Sequence, residues 1–411
     1  MTCRIDSSGN CITIVGSFAL SDLRRLTASL HNLTTRAGYE DLVLDFSRCT
    51  AAFPGPMIGL CAQAAALRDT GIDMELVLPS DTQIARYFTG ANWAHHISPG
   101  HHRRSTYRGY THVPASRFSD QEGQTATVNR IVDALLCSIP GIDRGDLAAI
   151  EWSINEVTDN VLVHANSSVG GFAQINTFRA KKRVEFCVGD SGLGIPNTLR
   201  HRFPDHEDIG LLEQAIKEGV TRDPSLGQGN GLFGTFQVSR TSSGYMHILS
   251  GFATLSYERD QLRITREKAP FVGTLVIGAM DASNPAALGD ALRFGDLKYS
   301  PTDYLETHYE DRASDAAVFR MSEETLSCGS RVAGTPVRTK LANIVNMNGA
   351  RRVVIDLSGI ELVSSSFADE VFGKLFKELG PLRFIQSVEI RHVTPTVRAL
   401  IDRAILQRGM A

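Results

Sequence analysis

Near each of its ends the chain carries the same short unit, and that repetition limits the folds open to it more than any other feature. An apolar strand, Leu42-Val-Leu-Asp-Phe46, runs into a turn at Phe53-Pro-Gly-Pro56, a helical stretch from Met57 to Leu67 and a second strand from Met74 to Leu78. Far along the chain the order returns, with Val353-Val-Ile-Asp-Leu357 as strand, Ser364-Ser-Ser366 as turn and Phe367 to Leu379 as helix. Apolar runs of strand length alternating with helical periods predict an α/β chain. Aligning Asp45 with Asp356 sets Phe53-Pro54-Gly55 opposite Ser364-Ser365-Ser366 and, with one extra residue allowed, Arg86-Tyr-Phe opposite Arg398-Ala-Leu. Two related modules then flank whatever lies between, ordinary βαβ similarity being the alternative.

At 411 residues, 42% of them hydrophobic, the chain has room for about two to four cores. Lys and Arg (42) nearly balance Asp and Glu (45), so no bulk field gathers nucleic acid or an anionic membrane, and a nucleic-acid partner is disfavoured. The start lacks a basic segment followed by an apolar one, and no apolar run reaches the roughly 18 residues of a membrane helix, which predicts a cytoplasmic protein. Seven cysteines without a C-x-x-C pair read as reduced, mostly buried thiols. Two irregular stretches, 95–114 and 281–315, read as linkers. The first holds His95-His96 and His101-His102, but with arginines at 103 and 104 and no nearby carboxylates or cysteines it reads as a solvated loop rather than a metal site.

The chemistry concentrates between the linkers. From Asp146 to His164, apolar residues at Leu147, Ile150, Ile154, Val157, Val161 and Leu162 keep a helical period, and Glu156 and Asn160 stand one turn apart on a single face. There Asn160 offers a neutral oxygen suited to Mg²⁺, leaving Glu156 free to polarise a hydroxyl or a water. A strand at Val184–Val188 runs into Gly189-Asp190-Ser-Gly192-Leu-Gly194, whose glycines permit close approach of backbone to a ligand and whose acid can accept from an exocyclic amine. Gly227-Gln-Gly229-Asn-Gly231 reads as a loop entering a helix, where free N–H groups suit phosphate oxygens. Its overlap with G-x-G-x-x-G is not a Rossmann signature, because no buried strand precedes it. Gly273-Thr274 opens a further strand, its hydroxyl placed to join a base.

In that order, Glu156-x3-Asn160, Asp190-x-Gly192-x-Gly194, Gly227-x-Gly229-x-Gly231 and Gly273-Thr274 resemble the N box, the two glycine boxes and the closing strand of GHKL (Bergerat-type) ATP-binding domains. The resemblance implies an α/β sandwich of two layers with a mixed sheet over residues 119–285. It further implies Mg²⁺ on Asn160, the adenine amine on Asp190, a phosphate lid in the second glycine run, Thr274 supporting the base and Glu156 as general base. Gly329-Ser-Arg331, Val353–Leu357 and Ser366-Phe-Ala-Asp-Glu370 resemble a STAS-like domain over 316–411, and residues 1–100 read as a second such module, with linkers at 101–118 and 286–315.

STAS proteins are similar to anti-sigma factor antagonists, which places Ser366, with Ser365 beside it, as candidate phosphoacceptor; Ser364 and Phe367 depart from that pattern, and helix capping is the competing role. Two functions follow from the resemblance. One is an ATP-dependent serine kinase like the anti-sigma regulators, acting in cis or on a STAS or sigma-regulatory protein partner. The other is a slow ATPase or nucleotide-gated switch whose lid lies between Arg202 and Gly231. No helix with a phosphoacceptor histidine precedes the domain and no transducer domain follows it, which argues against sensor histidine kinases and gyrase-like ATPases. A homodimer stays open.

Overall fold

The structure is a computed structural model that describes residues 3–106, 110–220, 230–283, 291–294, 297–298, 303–311, 316–349 and 351–410. The N-terminal module comprises β1 (Arg4–Ser8), β2 (Cys11–Phe18), α1 (Leu20–His31), β3 (Asp41–Asp45), β4 (Cys49–Ala52), α2 (Pro54–Asp69), β5 (Asp73–Val77), α3 (Thr82–Gly90) and α4 (Trp93–Ile97). In β2 alternate residues, Ile12, Ile14 and Phe18 among them, are buried, the period of two expected of a strand. Its sheet runs β1-β2-β3-β5, a hairpin followed by parallel pairs, with β4 joining β2.

The central domain contains β6 (His112–Phe118), α5 (Gln121–Ser138), α6 (Arg144–Asn160), β7 (Gly171–Phe178), β8 (Arg183–Asp190), α7 (Gly194–Leu199), α8 (Asp208–Ala215), α9 (Gly231–Thr241), β9 (Tyr245–Glu258) and β10 (Gln261–Asp281). Its sheet order is β6-β7-β8-β10-β9, and every pairing is antiparallel. Beyond a short hairpin, β11 (Arg293–Phe294) and β12 (Leu297–Lys298), the C-terminal module begins with α10 (Tyr304–His308), β13 (Glu310–Asp311), β14 (Ala316–Arg320) and α11 (Met321–Glu324). It continues through α12 (Arg331–Met347), β15 (Val353–Asp356), α13 (Ser365–Ala368), α14 (Lys374–Leu379), α15 (Pro381–Ser387), β16 (Val388–Arg391) and α16 (Pro395–Gly409). Here the order is β13-β14-β15-β16, again an antiparallel pair followed by parallel ones. The two flanking sheets therefore share order and strand direction. Asp45 and Asp356 end equivalent strands, and each accepts a hydrogen bond from the N–H two residues on, at 2.8 Å from Ser47 and 2.9 Å from Ser358.

The α/β class holds, but the mixed sheets lie in the flanks, whereas the central sheet expected to be mixed is antiparallel. Its two expected layers, helices over one sheet, are present, and the N-terminal module covers the sheet's other face. Along β8 and β10 both faces are apolar: Phe186, Val188 and Val276 meet α5 and α6, while Cys187, Leu275 and Ile277 face the N-terminal module. A sheet apolar on both sides needs cover on both, and α2 supplies it. The approach is close. A Cβ on Gly55 would lie 2.4 Å from Ile277 Cδ1, and one on Gly59 would lie 2.6 Å from Leu23 Cδ2 and 3.2 Å from Leu275 Cδ2.

On the opposite side α12 packs on α5. Asn343 Nδ2 donates to the carbonyls of Leu136 and Ile139, both at 2.8 Å, and its Oδ1 accepts from Gly141 N at 2.7 Å, so one amide satisfies the end of α5. Buried Lys340 bonds Asp133 of α5 and Glu324 of its own module. Arg144, at the start of α6, holds Asp303 at 2.6 and 3.1 Å and Glu310 at 2.8 Å.

Three boundaries differ from the sequence reading. Residues 112–118 are not linker but an edge strand, and Pro114 hid it: the pairing with β7 breaks between Val113 and Ser116, where an edge strand tolerates proline. In the second expected linker, Tyr304–His308 is helical and Glu310–Asp311 pairs with β14. The histidine stretch is not a solvated loop. His95 and His96 lie in α4, where His96 is buried against Phe172 and its Nε2 bonds Ala115 O at 2.9 Å, while His102 Nε2 bonds Leu76 O at 3.0 Å. Among the described residues no helix is long and apolar enough to cross a membrane.

Candidate functional site

Helix α6 is capped by Asp143, which accepts from Gly145 N at 2.8 Å, and it buries Leu147, Ile150, Ile154 and Val157. That leaves Glu156 and Asn160 half-buried at its far end, neither side chain hydrogen-bonded to a described residue. Burial, with a smaller contribution from the charge of Asp159, pushes the Glu156 carboxyl up to about 7. After Asn160 the helix widens into a π-turn, Val161–Ala165, which Asn166 ends in a left-handed conformation (φ 49°). Such widened turns redirect backbone groups. Here the effect is to aim Ala165 O at the N–H of Leu193, 2.7 Å away, in the loop after β8.

That loop is built around glycine for steric reasons. A Cβ on Gly192 would sit 2.0 Å from Ala165 O; on Gly194, at φ 75°, it would sit 2.7 Å from Gly273 O and from Ser250 Oγ; on Gly273, at φ 84°, 2.3 Å from Asp190 O. Every one of these contacts joins one of the expected site elements to a neighbour, and any larger residue would push them apart. Asp190 is buried at the end of β8, its Oδ1 accepting from Gly192 N at 2.7 Å. Burial pushes its carboxyl up to about 7, against the lowering effect of backbone donors at Gly192 and Thr274. Gly231 begins α9 directly on α6: a Cβ there would lie 2.2 Å from Glu156 Oε2, and Thr235 Oγ1 one turn on donates to Gly231 O at 2.9 Å.

The fold thus brings Glu156, Asn160 and Gly231, at one end of α6, and Asp190, Gly192, Gly194 and Thr274, where β8 ends beside β10, together through the Leu193–Ala165 hydrogen bond. Gly227 and Gly229 lie outside the described residues. Sequence reading missed Ser250. Fully buried in β9, its Oγ donates to Gly273 O at 2.7 Å, accepts from Ile195 N at 2.9 Å and lies 3.2 Å from Thr274 Oγ1. Its only signal was one serine inside a mainly apolar stretch, Met246–Ala253, that also holds His247. Among the described residues the Asn160 amide and the Glu156 carboxyl have no hydrogen-bond partner, and a neutral amide oxygen is a donor of the kind Mg²⁺ accepts.

In the C-terminal module Ser364 caps α13, accepting from Phe367 N at 3.0 Å, so the helix starts two residues before the expected Phe367. Ser365 is exposed and Ser366 half-buried, its Oγ 3.0 Å from that of Ser364.

Fold and site together define a three-part α/β protein with a glycine-framed acidic centre in its middle domain. Its last module contains a STAS-like domain: residues 333–398 match the family described as STAS-like domain of unknown function (DUF4325). No match was found among curated proteins.

Proposed function

We propose that the central domain binds ATP with Mg²⁺ in the manner of GHKL proteins, and that the chain is a regulatory serine protein kinase working with its own STAS-like modules or with a STAS or sigma-regulatory partner. One observation carries the reading. The Leu193–Ala165 hydrogen bond ties the loop of Asp190, Gly192 and Gly194 to the π-turn that follows Asn160, while Gly231 rests on Glu156, so motifs scattered in sequence face a common centre. In this reading Asp190 accepts from the adenine amine, Thr274 and Ser250 fix the strand beside the base, and N–H groups at the start of α9 receive phosphate oxygens. Asn160 holds Mg²⁺, which when bound neutralises phosphate charge.

For transfer, Glu156 takes the proton of a serine hydroxyl. The serine oxygen forms a bond to the γ-phosphorus as the bond from that phosphorus to the bridging oxygen of the departing ADP breaks. A carboxyl titrating at about 7 is matched to this role. The N-terminal module is read as a second STAS-like unit on its shared sheet order.

A second reading, a nucleotide-gated switch without kinase activity, is favoured by the attachment of the C-terminal module to α6. Glu151 Oε2 accepts from Tyr304 N at 3.0 Å and Arg144 grips Asp303, so one helix joins the proposed site to that module.

Incubation with γ-labelled ATP separates the two. Label on the wild type, lost in Glu156→Ala and in Ser366→Ala, supports phosphorylation in cis, and the rate should rise between about pH 6 and 8 as Glu156 ionises. Released phosphate without labelled protein supports the switch, and absence of Mg-ATP binding sinks both.

A further inference from the structure

The β9–β10 ladder, whose central part bears Ser250 and Thr274, is interrupted twice, between Arg266 and Phe271 and between Phe271 and Thr274. Interruptions leave carbonyls without ladder partners, and a buried unpaired carbonyl is costly. Ala269 and Val272, which fall in the two breaks, and Gly251 and Ala253, which pair beside them, all have their oxygens bonded by side chains from the N-terminal module. Arg24 of α1 is 7% exposed, and its Nη1 donates to Gly251 O at 2.7 Å and Ala269 O at 2.9 Å. Its Nη2 donates to Ala253 O at 2.6 Å and Thr254 Oγ1 at 3.1 Å. Gln63 of α2 donates to Val272 O at 2.7 Å.

Gly251 follows Ser250 in the chain and Val272 precedes Gly273. The two anchored carbonyls therefore flank the bulge in which Gly273 meets Asp190 and Thr274 meets Ser250. An aliphatic side chain at position 24 would dock α1 without burying a guanidinium, but would remove the donors that Arg24 gives to Gly251, Ala253 and Ala269. Only a planar fork of donors serves several carbonyls at once.

We propose that Arg24 and Gln63 are positioning residues of the nucleotide site, so that the N-terminal module is a structural part of the adenine-binding strand. The proposal rests on the ATP reading above. Both residues act at the base end, remote in the hydrogen-bond network from Asn160. Their loss weakens adenosine and Mg-ATP by the same factor and leaves the Mg²⁺ dependence of binding unchanged.

The test uses the full chain with Arg24→Lys, Gln63→Ala and Gln63→Glu, the last keeping length while removing the donor. Calorimetry with adenosine and with Mg-ATP should show about tenfold weaker binding of both ligands for Arg24→Lys, and a smaller loss for either Gln63 variant. Amide exchange at 271–275 should accelerate in all three. Unchanged affinities together with unchanged exchange overturn the proposal, as does a lowered melting temperature with full affinity in the folded protein. Should Arg24→Lys fail to fold, the half-buried Gln63 decides. Should the wild type bind no adenine nucleotide, the ATP reading falls by itself, and exchange at 271–275 still judges whether these side chains hold the bulge.

Discussion

In the N-terminal module the helix after the middle strand, α2, is buried along nearly all of Gly55 to Ala65 and pressed between two sheets. Its counterpart in the C-terminal module, Ser365–Leu379, sets Asp369 against Arg331 and Arg408, and Glu370 against Arg338 and Lys374. The strand order is shared, and α1 and α12, each placed between the second and third strands of its sheet order, both meet the central domain; the helix after the middle strand is what differs. α2 joins α1 on the central sheet through Gly55, Ile58 and Gly59, whereas the C-terminal module docks by α12 and fastens itself with Lys340, Asn343 and the acids that hold Arg144. Topology decides where helices lie around a sheet. Side-chain chemistry decides which of them can leave water against a neighbour.

The contrast is open to attack first at Lys340. Its replacement by Met leaves Asp133 and Glu324 facing each other with no cation between them, and about 3 to 4 kcal/mol of stability should be lost in denaturant unfolding. A change below about 1 kcal/mol would show that the C-terminal contact is not ionic in character.

The two contacts should also answer pH in opposite senses. Burial pushes His96, at the N-terminal contact, from its ordinary 6.5 down to about 4, so between those values the unfolded chain takes a proton that the folded one refuses, and stability falls as pH falls. Burial pushes Glu151, at the C-terminal contact, from 4.5 up to about 7, so the unfolded chain releases its proton first and stability falls as pH rises through that window. Each group contributes on the order of 3 kcal/mol at most. Melting temperatures from pH 4 to 8 should show a shallower acid-side decline in His96→Gln and a shallower alkaline-side decline in Glu151→Gln, the remainder of the latter coming from Glu156 and Asp190, which burial also pushes up to about 7. Slopes identical to wild type would contradict the assignment.

A smaller effect sharpens the comparison at the equivalent helix starts. Ser364 caps α13 while Phe53 gives α2 no side-chain cap and Pro54 begins it. Ser364→Ala should cost about 1 kcal/mol, whereas Phe53→Ala removes no cap. Equal losses of helix stability in the two would show that capping does not distinguish the modules.

Much of the fold was legible where the signal was local. The period of α6, the apolar strands β3, β8 and β15, and the two strand–turn–helix units all stood out, because burying one face repeats at the period of the element itself. β6 was hidden by Pro114, and α4 by its histidines, since a polar residue in a core leaves no local mark. Asp190 and Glu156 could be singled out by their motifs. Ser250 could not, nor could Arg24, whose partners lie 227 to 245 residues further along the chain.

By itself, then, the sequence determined the α/β class, the order of the acidic and glycine motifs and the likeness of its last module to STAS domains. These are properties of short segments, set by periodicity and by residue chemistry. Only the tertiary structure decided that the central sheet is antiparallel, that α2 covers its second face and that an arginine from the first module closes a break in its ladder. Those outcomes depend on which unpaired carbonyls and apolar faces meet in space, and a chain folded over such distances brings together groups that no local pattern relates.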